Sequence, residues 1–388
     1  MRVALVGPTY PYRGGIAQYT ASLSKAISER GHQALIISFK RLYPSVLFPG
    51  TAQEDKSLEP IQAPNERLLD SIGPRSWKKA AARLIEFRPD VVLIQWWHPF
   101  FAPAYSGLCR HLRRSGSSAR VVFLCHNVWA HDPPRIPGVR AAFRSMTRRA
   151  FRWADGFLVH AQALADELRR FRKDAPVEQI YHPMYEFSDA APAVPGAVPT
   201  LLFFGNLRPY KGLDVFLRAL ARMKGRQPFK AVIAGEFYTD PKPLKELATR
   251  LGLSADELRW EDRYIPNEEV SSFFRSADLV VLPYLRATQS GIVPLAYSFD
   301  APVVASDVGG LAEVVQDGRT GYLFPPGDDE AAAECIMRYF REGRRQDFQA
   351  NIRVFRRRLT WDQVIDKLTR MFEPAPDPAG IRGAGGAD

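Results

Sequence analysis

Two similar strand–loop–helix units constrain the fold of this chain more than any other feature of its sequence. The first opens the chain, where the apolar stretch Val3–Gly7 precedes a loop of prolines, glycines and tyrosines and then an amphipathic helix. The second is Thr200–Met223, in which a short apolar strand ends at Gly205 and apolar residues recur at helical spacing from Leu213 onward. Strands and helices alternate through both halves, which predicts an α/β fold with two doubly wound parallel sheets.

Length and linker composition support the same organisation. A chain of 388 residues exceeds what one hydrophobic core normally serves. The stretch Ser188–Thr200 consists of small residues and prolines without periodicity, which is typical of a linker. We therefore expect one Rossmann-like domain at 1–190, a second at 191–360, a cleft between them, and a disordered Pro-, Gly- and Ala-rich tail at 374–388.

The composition favours a cytoplasmic protein. No run of about 20 apolar residues that could span a membrane occurs, and the apolar strand before Pro8 is too short for a signal peptide. The three cysteines, Cys109, Cys125 and Cys335, are odd in number and lack metal-ligand spacing. They indicate reduced, mostly buried thiols, and we expect no metal site.

The loop of the second unit carries the clearest candidate ligand site. Arg208 and Lys211 lie directly before its predicted helix. Ligands of open parallel sheets bind where strands pass into helices, and a helix N-terminus offers free N–H groups and a positive dipole end. This arrangement predicts a phosphate pocket, although two solvated cations in a surface loop fit the same pattern. In the first unit, Gly14 and Gly15 allow close approach of a ligand, but a plain tight turn explains them as simply.

Two more loops of the first half follow predicted strands. An aromatic cluster that includes Trp97 and His98 follows the predicted strand Asp90–Gln95, and His126 follows the predicted strand Arg120–Leu124. Aromatic clusters are often core, and single histidines are often structural. Both features, however, lie where the carboxyl ends of parallel strands meet the predicted cleft, so both remain candidates for ligand binding.

The net charge of +11 lies entirely in the first half. Residues 1–190 contain 27 Lys and Arg against 16 Asp and Glu, whereas the remaining residues contain 26 of each kind. The stretch Arg135–Arg152 has six arginines and no acid, and its apolar residues could form the opposite face of a helix. Those residues are Val139, Ala142, Phe143, Met146 and Phe151. The pattern fits a solvated basic helix or a helix on anionic lipid headgroups, and the domain fits a membrane surface, an anionic acceptor or a nucleic acid as partner.

Several motifs occur in the order and spacing of a known family. They are FFGNLRPYKGLDVFLRAL at 203–220, PVVAS at 302–306, GG at 309–310, EVV at 313–315 and DGRTG at 317–321. With the opening strand and its glycine loop, they resemble the retaining, nucleotide-sugar-dependent glycosyltransferases of family 4 over roughly residues 1–372. The resemblance implies the GT-B fold, with a helix at 361–373 that crosses back onto the first domain.

The resemblance also implies roles for individual residues. Arg208 and Lys211 would hold the donor pyrophosphate and stabilise the leaving diphosphate, with no metal ion or other cofactor required. His126 would lie near the donor sugar as a third catalytic residue, and Trp97 and His98 are candidates for acceptor binding. The donor-binding candidates are Gly14, Gly15, Asn206, Glu236, Tyr264, Ile265, Gln289, Ser290, Gly291 and Ile292.

The chain departs from the family pattern at two places. Most members carry two glutamates, eight residues apart, shortly before the strand at 302, where this chain has ATQSGIVPL at 287–295 with neither glutamate. The arginine that commonly follows the glycine of the first motif is Asn206 here, and Arg208 lies two positions later. Gln289 and Ser290 are the candidates to replace the missing sugar and ribose contacts.

The leading hypothesis is transfer of a hexose, with retention, from a nucleotide diphosphate sugar to a glycan or lipid-linked acceptor. The setting would be cell-surface polysaccharide or glycolipid synthesis at the inner face of the plasma membrane. The missing glutamates leave a non-catalytic nucleotide-sugar-binding protein as the rival, and an epimerase of the same fold as a further alternative. A nucleic-acid partner is not expected, because the arginines lack a recognisable nucleic-acid-binding module.

Overall fold

The structure is a computed structural model that describes residues 1–44, 52–129, 138–187 and 198–372. The strands are β1 (Arg2–Val6), β2 (Gln33–Arg41), β3 (Glu66–Asp70), β4 (Val91–Trp96), β5 (Arg120–Cys125), β6 (Gly156–Val159), β7 (Val177–Gln179), β8 (Thr200–Phe204), β9 (Lys230–Ala234), β10 (Leu258–Glu261), β11 (Leu279–Leu282), β12 (Val303–Ser306) and β13 (Gly321–Phe324). The helices are α1 (Gly15–Glu29), α2 (Pro74–Phe87), α3 (Ala102–Arg114), α4 (Val139–Phe151), α5 (Gln162–Phe171), α6 (Leu213–Met223), α7 (Lys242–Arg250), α8 (Asn267–Ser276), α9 (Ile292–Ser298), α10 (Gly310–Val314), α11 (Asp329–Glu342), α12 (Arg345–Phe355) and α13 (Trp361–Arg370). The predicted tail at 374–388 and most of the predicted linker lie outside the described residues.

The first sheet has the strand order β3-β2-β1-β4-β5-β6-β7, and all of its neighbouring strands are parallel. Strands such as β4 (VVLIQW) are buried along their whole length, because separate apolar clusters cover the two faces of the sheet. The strand order reverses between β1 and β4. Loops that leave the carboxyl ends of these two strands therefore diverge to opposite faces and open a crevice.

The second sheet repeats this arrangement with the order β10-β9-β8-β11-β12-β13, again entirely parallel. Two apolar clusters cover its faces, and the order reverses between β8 and β11. The predicted α/β class with two doubly wound parallel sheets is therefore confirmed. Both strand–loop–helix units recognised in the sequence, β1–α1 and β8–α6, begin at a reversal point.

Helix α4 differs in part from the predicted basic helix. Its described part begins at Val139, and residues 135–137 lie outside the described residues. Ala142, which was expected on the apolar face, is exposed, so that part of the prediction is wrong. The helix instead buries Thr147, Ala150 and Phe151, because these positions share the face that packs on the first domain.

The last helix, α13, packs on the first domain although it follows the second in sequence. Val364, Ile365 and Leu368 belong to an apolar cluster with residues of β1, α1 and β4. On the rim of this contact, Arg30, directly after α1, forms ion pairs with Asp362 at 3.0 Å and with Asp366 at 2.8 Å. The crossing helix implied by the family resemblance is thus present as α13.

A carboxylate of the second domain also caps a helix of the first. Glu313 of α10 accepts hydrogen bonds from the backbone N–H of Gln162, at 2.9 and 2.8 Å to its two oxygens, and from Nε2 of Gln179 at 2.6 Å. Gln162 is the first residue of α5, and negative charge at a helix N-terminus is stabilising. The contact holds the domains so that the carboxyl ends of the two sheets face each other.

Candidate functional site

The loops at the two reversal points enclose a cleft of about 570 Å³ between the domains. Loops after β1 and β4 form one wall, and loops after β8 and β11 form the other. Doubly wound sheets bind their ligands at this position. Every residue proposed for the site from the sequence lines this cleft except Glu236.

Lys211 is a buried cation on the wall of the second domain. Its side chain lies over the ring of Tyr284, with Nζ 5.4 Å from the ring centre, and the residue is only 7% exposed. Burial lowers the pKa of Lys211, and the charge of Arg208 adds to this effect. Within the described ranges no carboxylate pairs with it. A buried charge without a counter-ion is costly, so this position favours an anionic ligand.

Arg208 lies in the same loop as Lys211, but its side chain packs on a different aromatic ring. Its guanidinium carbon is 4.5 Å from the centre of the Tyr238 ring, and the side chain is half-buried. It forms no ion pair with any residue that the structure describes. The two cations identified in the sequence therefore both reach the cleft, each supported by its own tyrosine.

Glycines let the loops of the second domain touch through their backbones. Gly212, with φ +65°, lies so close to the end of β11 that a Cβ atom would be 1.9 Å from the carbonyl oxygen of Pro283. Gly309, with φ +45°, is equally close to the loop after β11, since a Cβ atom would be 2.0 Å from the carbonyl oxygen of Ala287. The N–H of Leu285 donates to the carbonyl of Tyr210 at 2.8 Å. The loops after β8, β11 and β12 thus form one cradle, called here the donor-side cradle.

On the opposite wall, α1 begins at Gly15 and directs its N-terminus to the cleft. Gly14 has φ +102°, a conformation that favours glycine, and the space where side chains of Gly14 and Gly15 would lie is open. The free N–H groups and the positive dipole end of α1 are therefore accessible to an anion.

Glu236 lies behind the wall of the cleft. It forms an ion pair with Arg13 of the first domain, and the side chains are 7% and 8% exposed. Arg13 in turn lies over Tyr264, 4.9 Å from the ring centre, and both Arg13 and Tyr264 line the cleft. Arg13, which was not among the site residues expected from the sequence, is the member of this pair that lines the cleft.

The segment that replaces the family's glutamate region, residues 287–292, leads into α9. The side-chain oxygen Oε1 of Gln289 is buried and, among the described residues, has no hydrogen-bond partner. The hydroxyl of Ser290 accepts the N–H of Ile292 at 3.2 Å and lies 3.4 Å from the hydroxyl of Tyr284. Ser290 is thus used partly to cap α9, whereas Gln289 retains an unsatisfied acceptor in the cleft wall.

Three histidines surround Tyr19 beneath the cleft. The rings of His126, His160 and His182 lie 5.3, 5.4 and 5.3 Å from the Tyr19 ring. His126 places Nε2 2.7 Å from Oε1 of Gln95. Burial lowers the pKa of His126 to about 3 and that of His182 to about 4. Burial also lowers the pKa of His160. His126 and His182 reach the cleft as neutral rings.

Aromatic side chains form the remaining part of the first-domain wall. Trp97 donates its indole N–H to the hydroxyl of Tyr43 at 3.1 Å, and Nδ1 of His98 accepts the backbone N–H of Phe100 at 3.1 Å. Tyr43 lies just after β2 and was not among the site residues expected from the sequence. Its distance of 54 residues from Trp97 explains why the sequence pattern does not connect the two.

The described residues of the cleft wall carry one sign of charge. The charged side chains among them are Arg13, Arg208 and Lys211, and the described lining contains no Asp or Glu. The carboxylate of Glu236, which lies behind this wall, already pairs with Arg13. A cleft that combines cations, aromatic rings and neutral donors is suited to an anionic ligand with polar and ring-shaped parts.

Two family descriptions match the chain. Residues 13–184 match Glycosyltransferase Family 4, and residues 198–342 match Glycosyl transferases group 1. The chain belongs to the group 1 glycosyltransferases of family 4. The two matches correspond to the two sheets and together include both walls of the cleft.

Curated relatives match part of this chain. A D-inositol 3-phosphate glycosyltransferase of Thermomonospora curvata is 33% identical over 195 residues, 48% of this chain and 45% of the relative. The protein of the same name from Streptomyces scabiei is 29% identical over 228 residues, 53% of this chain and 50% of the relative. The chain thus spans about half the length of these curated relatives.

Solved structures establish the GT-B fold over nearly the whole glycosyltransferase. Anabaena Alr3699/HepE, in complex with UDP-glucose, has a TM-score of 0.70 and 18% identity, covering 95% of this chain and 100% of that chain. Sucrose-phosphate synthase from Thermosynechococcus elongatus has a TM-score of 0.70 and 15% identity, covering 96% and 98%. At these identities the likeness concerns the fold.

Within the ranges given above, no helix combines the length and the apolar character that crossing a bilayer requires. The same ranges contain no cluster of three or more His, Cys, Asp or Glu side chains with an arrangement that could hold a metal ion.

The buried histidines predict that stability falls under mildly acidic conditions. Their pKa values are depressed in the folded protein, so an unfolded chain binds more protons below the ordinary histidine pKa of about 6.5. The stabilisation is present above that pH and is lost as the pH falls toward the folded values. Each histidine should contribute a slope of about 1.4 kcal/mol per pH unit to the free energy of unfolding. Guanidinium titrations at pH 7, 6 and 5 measure it.

His160→Phe should reduce this slope, because phenylalanine binds no proton, and the replaced ring is only 2% exposed. His111→Gln, in α3 and away from the Tyr19 cluster, is the matched control and should keep the wild-type slope. An unchanged slope in His160→Phe would contradict the assignment of the acid sensitivity to this cluster.

Proposed function

We propose that this protein transfers a hexosyl group from a nucleotide diphosphate sugar to a hydroxyl group of an acceptor, with retention of the anomeric configuration and without a metal ion. The observation that carries the proposal is the buried Lys211, which has no carboxylate partner in the described structure and lines the same cleft as the N-terminus of α1. A diphosphate between them would neutralise a charge that the fold itself leaves uncompensated.

The remaining wall accommodates the other parts of such a donor. Arg13, Tyr264 and Ile265 lie together and offer a flat, partly apolar surface for the nucleotide. His126 and Gln289 provide neutral polar groups for the hexose, and Gln289 Oε1 still requires a hydrogen-bond donor. A sugar hydroxyl would supply it.

The chemistry follows from where charge develops. As the bond between the anomeric carbon and the diphosphate oxygen breaks, its electron pair passes to the diphosphate, which gains negative charge. Lys211 and the α1 N-terminus are positioned to stabilise this charge. They would therefore stabilise the transition state more strongly than they stabilise the bound donor. The acceptor oxygen forms the new bond and loses its proton, which a diphosphate oxygen can accept. The family resemblance supports retention.

Lys211→Ala should therefore lower turnover more than donor affinity. A hydrogen bond to a charged group contributes about 1.5–3 kcal/mol, equivalent to about 10- to 150-fold in rate. Release of nucleoside diphosphate from a panel of sugar nucleotides measures turnover, and calorimetry measures donor affinity. Lys230→Ala removes an exposed lysine from β9 of the same domain and should behave as wild type.

Two results would redirect this proposal. Full turnover in a folded Lys211→Ala variant would show that the diphosphate lies elsewhere. Donor binding by the wild-type protein, with no release of diphosphate to any acceptor or to water, would favour the non-catalytic nucleotide-sugar-binding protein instead.

Gln289→Ala tests the proposed sugar contact. Loss of one hydrogen bond between neutral groups costs about 0.5–1.5 kcal/mol, so the donor Michaelis constant should rise about 2- to 10-fold. The affinity for the nucleoside diphosphate alone should not change, because the contact is to the hexose. Gln346→Ala, an exposed glutamine of α12, is the control. Equal weakening of donor and diphosphate would place Gln289 away from the sugar.

The acceptor proposal has two forms. The names of the curated relatives support a small phosphorylated polyol, as in D-inositol 3-phosphate glycosyltransferases. Helix α4 supports a lipid-linked acceptor at an anionic membrane surface on the cytoplasmic side, because Arg140, Arg144, Arg148 and Arg149 are exposed on it. Phe143 at its N-terminal end contacts His98 of the cleft wall, with ring centres 5.4 Å apart. A membrane bound to α4 would thus lie beside the cleft.

Replacement of Arg144, Arg148 and Arg149 together by Gln should weaken binding to vesicles that contain anionic phospholipid. Each basic residue near such a surface contributes about 1 kcal/mol, so about 100-fold in total is expected at low salt. Arg144 and Arg148 also lie over Trp129 and Phe171, so the melting temperature must be compared. The control removes three exposed arginines of the second domain, Arg250, Arg357 and Arg358. Equal vesicle binding by both variants would exclude α4 as the membrane contact.

A further inference from the structure

We propose that Arg208, together with Tyr43 and His98 across the cleft, forms a subsite for an oxyanion of the acceptor, so that the protein selects acceptors that carry a phosphate or a carboxylate beside a sugar or polyol ring. This inference rests on the proposed transferase function and deepens it. It assigns the two cations of one loop to two different substrates.

Arg208 and Lys211 lie over different aromatic rings. Arg208 lies over Tyr238 at 4.5 Å, whereas Lys211 lies over Tyr284 at 5.4 Å in contact with the donor-side cradle. The Nζ atom of Lys211 approaches Gly205, where a Cβ atom would be 3.1 Å away, and the side chain of Ile292 lies at the same glycine. Lys211 therefore lies beside Ile292 of α9, whereas Arg208 packs on Tyr238, which follows β9.

Two aromatic residues of the first domain line the same cleft as Arg208, namely Tyr43 and His98. Burial lowers the pKa of His98 to about 4, and the charge of Arg208 acts in the same direction. Burial raises the pKa of Tyr43 to about 12, and the charge of Arg208 opposes this shift. Arg208 thus shares the cleft with the aromatic wall of the first domain, although it belongs to the second.

The hydrogen bond of His98 determines which of its ring nitrogens carries the proton. Nδ1 of His98 accepts the backbone N–H of Phe100 at 3.1 Å, so Nδ1 carries no proton. Since the low pKa keeps the ring neutral, the single proton resides on Nε2. His98 is thus a fixed neutral donor near a full positive charge, which is the combination that binds an oxyanion.

The aromatic wall accounts for the ring that would accompany this oxyanion. Trp97 is fixed by its N–H bond to Tyr43 at 3.1 Å and by the Phe101 ring, whose centre is 4.2 Å from its own. Tyr43 is stacked on Phe100 at 5.4 Å. Rigid aromatic faces of this kind offer apolar contact to the C–H face of a sugar or polyol at little entropic cost.

The test uses three compounds with one ring and different charge: glucose, glucose 6-phosphate and glucuronate. Each is titrated calorimetrically into the full chain saturated with UDP. We expect at least one anionic compound to bind about tenfold or more tightly than glucose, and comparison of the two distinguishes a phosphate from a carboxylate site. Arg208→Gln should abolish that advantage and change the affinity for UDP less than twofold, and Arg208→Lys should retain part of it.

Arg218→Gln removes an exposed charge from α6 of the same domain and should bind all compounds as wild type. Titration of UDP and UDP-glucose alone tests the donor site separately, so a failed transferase proposal is recognised there. The subsite is overturned if neither anionic compound binds better than glucose. It is also overturned if Arg208→Gln weakens UDP as much as the anion, because Arg208 would then serve the donor.

Discussion

The geometry of the cleft depends on contacts between the two domains, among them the bond between the carboxylate of Glu313 and the first turn of α5 and the ion pair of Arg13 with Glu236. In a parallel sheet the carboxyl ends of the strands lie at one edge, but the sheet alone does not determine which part of the protein faces that edge. Glu313 satisfies a helix N-terminus of the other domain and a side-chain amide of β7 at the same time. Together with α13, it holds the two sheets so that the carboxyl ends of their strands face each other. Each catalytic or binding role proposed above requires groups from both.

Sequence reasoning located the fold and most of the cleft wall because both follow local rules. Buried parallel strands are short apolar runs, and the residues after them lie at the carboxyl edge. The elements at the margins of the first sheet could not be predicted in this way. Strand β3 (ERLLD) and strand β7 (VEQ) are edge strands with few apolar residues. Helix α3 contains Gly107, which is buried against Trp77, where a Cβ atom would lie only 2.3 Å from the indole ring. Such small residues at a helix contact give little periodic signal.

The pairings inside the site could not be predicted from the sequence. Arg13 and Glu236 are 223 residues apart, and the histidines around Tyr19 come from three separate strand ends. Sequence reasoning proposed Glu236 as a nucleotide contact because it follows a strand, but its charge is taken up by Arg13. Arg208 and Lys211 were expected to share one role because both lie at a strand-to-helix turn and in one family motif. Nothing in the sequence indicated that they lie over different rings, Tyr238 and Tyr284.

The donor-side cradle has a consequence for how such a protein can change over time. Its loops touch through backbone atoms at Gly212 and Gly309, with no room for any side chain at these contacts. The shape of the cradle is therefore largely independent of the side chains that project from it. Residues such as Gln289 can be exchanged for others without rebuilding the surface that presents them. A scaffold of this kind can acquire a new substrate preference by substitution at a few positions while its architecture stays the same.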